Sequence, residues 1–460
     1  MNETRTPPRQ EMTPSGRLEQ PTTVTDAAQL LRETNGTVLF RGGATKLDWG
    51  GRVDAPDLVL DTTHLQGILT HNPADMTASV RAGTTLTALQ EHLSADGQWL
   101  ALDPPTAQTG ATIGGLLAAG DSGPSRLRYG ALRDLVIGVT LVLADGTVAR
   151  SGGHVIKNVA GYDLAKLVHG SLGSVALVAE VVVRLHPRPA SSVTTAAEVD
   201  ATAATTATLA IAASPLEPAA VEWVSNGDSG HLYVRIDGTA AYVEASAQRL
   251  VTLLAGLGIT ASPLPTDDAR AAWQSHSSAV LGADHETVVR VAGLPSDLGS
   301  LAGHARQVAA AAGLEAQLVS SVALGLHTVR LQGGEPAAHA QAFTAIRERA
   351  LQQGASVLLR SRPPELDTFV DALGPGPSTV DLLRRIKTQF DPTSRCAPGR
   401  FQPGYCIPSG PCRTDPTAFQ EPNDDRTDRD IHGRAEPGPR RPAVRGDSGN
   451  RGLRRVACTE

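Results

Sequence analysis

Aromatic side chains are scarce in this 460-residue chain, at 3%, and cysteines number four. Cys396, Cys406, Cys412 and Cys458 all fall near the C-terminus, outside the expected core. That placement excludes a disulfide framework and a CxxC-type zinc or iron–sulfur site. Cys406 and Cys412 share a Pro/Gly-rich stretch without zinc-type spacing, so no metal is expected there. No apolar run reaches the roughly 18 residues that a membrane span needs. The opening MNETRTPPRQEMTPSGR lacks the apolar segment of a secretory signal. The reading is a cytoplasmic protein with no direct membrane span, touching an inner membrane only through partners. Nor does one charge dominate: 41 basic residues face 47 acidic ones, which argues against general nucleic-acid binding.

What is present suffices for globular folding. Hydrophobic residues make up 41% of the chain, and its length suggests two or three domains. Residues 1–20 read as a flexible leader and 21–190 as a first domain. Within it GTVLFRGG (36–43), DLVLDTT (57–63) and MTASVRAG (76–83) read as strands. TDAAQLLRET (25–34) has helical spacing, with Thr25 or Asp26 as N-cap. In TTLTALQEHLSADGQWL (84–100), Leu86, Leu89 and Leu93 share a helix face and Gly97 ends it. VIGVTLVLADGTVAR (136–150) is a hairpin, and SVALVAEVVVRLHP (174–187) a buried strand that Pro187 stops.

A second domain is assigned to 191–376, with the Ala/Thr/Ser-rich stretch 190–215 as the crossing into it. Strand–helix alternations between 217 and 370 suit an antiparallel sheet with helices on one side, so the class is α+β. A helix within 377–403, with Leu382, Leu383 and Ile386 inward, returns to the first domain. Residues 404–460, rich in Pro, Gly, Asp and Arg, read as a disordered tail.

Three stretches carry the chemistry. In RGGATKLDWG (41–50), consecutive glycines let main-chain N–H groups approach phosphate oxygens. Thr45 adds a donor, and Arg41 and Lys46 add charge. The stretch is neither a Walker loop nor a GxGxxG fingerprint, and an ordinary turn is the alternative. In TGATIGGLLAAGDSGPSRLRYGALRD (109–134), six glycines leave a strip of bare backbone beside Arg126, Arg128 and Arg133. That combination suits a pyrophosphate and a flat ring, or else a tightly packed helix start with a loop. In HVIKNVAGYDLAKLVHGSLGS (154–174), Gly161 permits close approach. Tyr162 either packs on a ring or fills core. Asp163 either serves the site or caps the following helix. Lys157 either sits over an anionic ring edge or lies on an exposed face. His154 and His169 read as surface or capping residues.

In order, these stretches resemble the FAD-binding domain of vanillyl-alcohol-oxidase or p-cresol methylhydroxylase type flavoproteins. NVAGYD and FDPTSRCAPGRF are similar to the E subunit of bacterial glycolate oxidase. The resemblance covers 22–190 and 379–401. It implies a two-subdomain FAD-binding domain with a smaller antiparallel α+β cap. It further implies that Arg41, Gly42, Gly43, Ala44, Thr45 and Lys46 hold the FAD pyrophosphate. Thr109, Gly110, Ile113, Gly114, Gly115, Gly120 and Ser122 would line pyrophosphate and flavin. Arg128, Tyr129, Gly130 and Asp134 would close over the ribityl and adenine side, and Gly161, Tyr162 and Asp163 would neighbour the ring or adenosine. Some family members tether flavin through a histidine after this first loop. Ala44-Thr45 occupies that place here, so the FAD is expected to be non-covalent.

The same resemblance implies oxidation of a small 2-hydroxy acid, with an Arg clamp for its carboxylate and a His base. Arg290, His327 and Arg330, on TVVRVAG and HTVRL, are the second-domain candidates alongside Lys157; outward charges on a half-solvated sheet are the alternative. Implied partners are a D-type catalytic flavoprotein and an iron–sulfur subunit, since this chain has no cluster cysteines. No HxxxxxH or acidic metal pair stands out, which leaves a non-catalytic assembly subunit as a second reading and a standalone oxidase of another 2-hydroxy acid or polyol as a third.

Overall fold

The computed structural model describes residues 16–53, 55–154 and 161–401. Lys157, three of the cysteines and the tail beyond 403 lie outside them.

The helix Val24–Glu33 is capped two residues or more ahead of the expected Thr25 or Asp26. Thr23 is its N-cap, and Asp26 completes a capping box by accepting from Thr23 N–H. Its buried Ala27, Ala28 and Leu31 pack on a three-stranded parallel sheet, ordered Arg17–Glu19, Leu58–Asp61, Val38–Arg41. Residues 17–19 of the expected leader are thus an ordered strand.

A five-stranded antiparallel sheet follows, ordered Ile68–Asn72, Thr77–Arg81, Leu177–Arg184, Val136–Val142, Val148–Gly152. Leu86, Leu89 and Leu93 of the helix Leu86–Ser94 are fully buried against its core, as their spacing requires. The chain then leaves for an eight-stranded antiparallel sheet built from residues 191–361. The Ala/Thr/Ser-rich stretch is regular: it forms the strand Ser191–Glu198 and the helix Ala201–Ala212. Small residues let that helix lie close on the sheet, and Asp200 caps it by accepting from Ala203 N–H.

Helices cover both faces of this sheet, not one. Along Ala220–Asn226, Val221 and Trp223 join the large core with Phe343 of Pro336–Gln352. The alternate residue Val224 packs with Val319 against Ala279 of the helix Thr266–Leu281, on the opposite face. Trp223 stays buried because its Nε1–H donates to Val199 O at 3.0 Å.

The helix Val380–Phe390 also departs from expectation. Leu382 is 50% and Leu383 40% exposed, and no residue of the helix is fully buried. Beyond it the chain joins the small parallel sheet: Val38 N–H donates to Arg395 O at 2.8 Å, and Ala397 N–H to Val38 O at 2.8 Å. Cys396, between them, is fully buried, a correction to its expected place outside the core. Burial pushes its thiol up to about 12.

Candidate active site at the cleft between the two sheets

The first loop leaves the strand Val38–Arg41 and packs back-to-back on a second. A Cβ on Gly42 would stand 2.3 Å from Thr112 Oγ1, and one on Gly43 would stand 2.0 Å from Gly110 O. Only glycine permits that approach. Ala44 turns the chain with φ 56°, and the loop then lines a cleft with Gly114, Gly115, Gly173 and Arg400.

The two loop cations are already engaged. Arg41 Nη2 lies 2.6 Å from Asp61 Oδ2. Burial raises the Asp61 carboxyl, but bonds from Thr63 and Arg41 outweigh it and hold its pKa below the ordinary range. Lys46 Nζ lies 2.8 Å from Thr106 Oγ1 and 3.2 Å from the buried Asp121. What remains for an anion is main chain: the N–H groups of Gly42, Gly43, Ala44 and Thr45 donate to no described protein group. Across the cleft, Gly115 is exposed, and a Cβ there would meet only Thr112 Oγ1, at 3.0 Å. This bare cradle fits a dinucleotide.

A second cavity lies where residues 105–126 meet the large sheet. It is lined by Ser122, Arg126, Glu222, His276, Arg290 and Arg360, among others. A neighbouring pocket, with Thr45, Trp49 and Asp121 in its wall, shares Pro105, Val280 and Arg360 with it and reaches the first loop. The Arg360 guanidinium stacks 4.1 Å over Trp49, and its Nε is buried without a partner. Arg290 reaches Thr328 Oγ1 at 3.4 Å. Burial, then the neighbouring Arg360, pushes Arg290 down to about 9, and burial lowers Arg360 as well. Of the two nearby carboxylates, Asp121 is held by Lys46 and Thr106. Glu222 accepts from His276 Nε2 at 2.9 Å. Three arginines, Arg126, Arg290 and Arg360, therefore outnumber the single carboxylate in the wall of this cavity, Glu222, an arrangement that favours a bound anion.

The other expected residues lie elsewhere. His327 is fully buried in the sheet, with Nδ1 at 2.8 Å from Ser320 Oγ and Nε2 at 3.3 Å from Leu294 O. Arg330 forms a two-pronged pair with Glu286 at 2.6 and 2.7 Å. Arg128 donates to Asp237 O at 2.9 Å, and Tyr129 packs edge-on to Trp99 and His186. Gly130, at φ 83°, sits over Asp134, which accepts from Ala131 N–H. Thr109 Oγ1–H donates to Thr106 O, Ile113 is core, and Gly120 ends the helix Ile113–Ala119. Asp163 caps the helix Leu164–Val168, Tyr162 is 88% exposed, and Gly161 has φ 94°. Sequence reasoning passed over Glu222, His276 and Arg360. The one local sign was a lone carboxylate in the apolar run AVEWV.

Residues 17–152 match a family described as an FAD binding domain. The Escherichia coli glycolate oxidase subunit GlcE is 34% identical over 191 residues, 42% of this chain and 53% of that protein. The chain thus matches about half the length of that relative. The Bacillus subtilis glycolate oxidase subunit GlcD is 26% identical over 399 residues, covering 79% of this chain and 83% of its own. Crystalline p-cresol methylhydroxylase shares the fold, with TM-score 0.63 and 17% identity over 83% of this chain and 88% of that one. The glycine cradle lies within residues 17–152, which form an FAD binding domain on the fold that p-cresol methylhydroxylase shares, and FAD is the cofactor.

Proposed function

We propose that this chain is the FAD-bearing oxidoreductase subunit of a glycolate-oxidising complex, converting glycolate to glyoxylate with a D-type flavoprotein and an iron–sulfur subunit as partners. The similarity to two glycolate oxidase subunits supports the substrate class and the partners. The observation that carries the reading is the arginine-rich cavity beside the dinucleotide loop. In this reading Gly42–Thr45 N–H groups hold the pyrophosphate, without a covalent link. Arg290 and Arg360 hold the acid's carboxylate, and Arg126 closes the cavity. When bound, FAD supplies a two-electron acceptor. The cavity encloses about 20 Å³, on the scale of one water. In this reading the cavity must widen before an acid can enter it.

That small volume also favours a second reading, a subunit that assembles the complex while its partner binds the acid. Anaerobic glycolate separates the two. The purified chain should show oxidised-flavin absorption, and glycolate should bleach it, alone or once the partners are added. A flavin that stays oxidised in the complete complex rules out the first reading and leaves the second.

A further inference from the structure

Arg360 and Arg362 stand two residues apart where the strand Ser356–Ser361 ends, and extended chain aims alternate side chains the same way. Both reach the loop that follows the glycine cradle, by different means. Arg362 grips main chain: it donates to Asp48 O at 2.7 Å and to Gly50 O at 3.0 Å, and it pairs with Asp367. Trp49 lies between those two carbonyls. Its own N–H donates to Lys46 O at 3.2 Å, and its carbonyl accepts from Arg400 at 2.9 Å. The indole, 6% exposed, is therefore carried on a fixed backbone. Arg360 stacks on that ring, its guanidinium carbon 4.1 Å from the centroid. It is 9% exposed, and among the described residues no hydrogen bond or ion pair involves its side chain. Asp121, whose charge Arg360 feels, is taken by Lys46 and Thr106. A carboxylate partner would occupy the N–H donors that lie in the guanidinium plane. An aromatic face holds the cation from above that plane and leaves them free.

We propose that Trp49 is a positioning residue: its indole holds Arg360 in the wall of the second cavity with the N–H donors unspent, and so sets the affinity of that cavity for a carboxylate. That the carboxylate belongs to the acid being oxidised rests on the functional reading above; the stack itself does not. Tryptophan offers a cation the strongest of the aromatic faces. Residue 49 belongs to the dinucleotide loop and residue 360 to the large sheet. One loop therefore carries the bare N–H groups of the cradle at its start and the support of an anion-binding arm at its end.

The test uses the flavin-loaded protein and acetate, which has the carboxylate of glycolate but no hydroxyl to oxidise. Acetate affinity is read by calorimetric titration. Fluorinated tryptophans placed at position 49 alone keep the shape of the ring and withdraw electron density from its face. Affinity should fall stepwise as fluorines are added. Trp49→Leu should weaken acetate about 10–30-fold, the scale of a desolvated cation–π contact, and should cost nothing further in Arg360→Gln. In the complex, the glycolate concentration for half-maximal flavin bleaching should rise in step while the limiting rate holds, the mark of lost binding and not of lost chemistry. An affinity that is flat across the fluorinated series, a parent protein that takes no acetate, or the same loss from Trp49→Leu in the Arg360→Gln background overturns the proposal. If acetate follows the series but glycolate bleaches no flavin in the complete complex, the proposal stands and the functional reading falls. If glycolate bleaches the flavin and the series is flat, the functional reading stands and the proposal falls.

Discussion

A β-carbon on Gly115 would meet only Thr112 Oγ1, at 3.0 Å, whereas one on Gly114 would stand 2.6 Å from Ala82 Cβ. Adjacent glycines therefore answer to different demands, one to the cleft and one to the packing of helix on strand. Gly115→Val should abolish FAD retention and leave the circular dichroism spectrum and melting temperature nearly unchanged. Unchanged flavin content in that variant would place the cofactor elsewhere. Gly114→Val should instead destabilise the fold by about 1–3 kcal/mol, the usual scale of overpacking. Residue by residue, the glycines were the most readable part of the site, because bare backbone announces itself locally. Arg41 and Lys46 were legible as neighbours of the loop. Their capture by Asp61 and Asp121 was not, because those carboxylates come from outside the motif.

Among the elements, strands and helices with clean periodicity were readable: Leu86, Leu89 and Leu93 announced their helix and are its buried face. The second cavity was not readable. Glu222, His276, Arg290 and Arg360 belong to four elements; sheet register aligns the three strand residues, and the packing of the helix Thr266–Leu281 on the sheet brings in His276. Register also settles which charges on a strand do structural work. Arg290 and Arg330 looked alike in sequence, yet Arg330 faces Glu286. Arg330→Ala should lower stability by about 1.5–3 kcal/mol, the range for hydrogen bonds to charged groups. Flavin bleaching per folded molecule should not change; a loss in bleaching without a loss in melting temperature would reverse the assignment. Burial raises the Glu286 carboxyl, but Arg330 and its other donors outweigh it and hold its pKa low. Its stabilisation is therefore complete above the ordinary carboxylate range and fades as pH falls through the depressed value. Glu286→Gln should flatten that acid limb in chemical denaturation series, while a limb as steep as the parent's would assign it to other groups.

In the molecule as a whole, an ion pair and arginine hydrogen bonds tie the large sheet to the FAD-binding residues. Arg235 reaches Asp103 Oδ2 at 2.9 Å and Ser125 Oγ at 2.6 Å. Arg362 donates to Asp48 O and Gly50 O at 2.7 and 3.0 Å. Asp103→Ala would leave a largely buried guanidinium with fewer partners, a change that costs about 3–5 kcal/mol when such a pair is broken. Calorimetry should then show unfolding shifted to lower temperature than in the parent; an unshifted transition would show the tie to be weak. Such long-range ties are invisible in sequence, because each joins residues far apart in the chain.

The strand that feeds the flavin loop is completed on one side by Arg395 and Ala397. Just beyond, the Arg400 guanidinium donates to the carbonyls of Leu47 and Trp49. A nascent polypeptide on the ribosome therefore carries its glycine loop for most of translation before the last buttress of that loop has been made. Cofactor capture is a late event in biosynthesis, and a product terminated at residue 375 should emerge colourless even with its glycines in place.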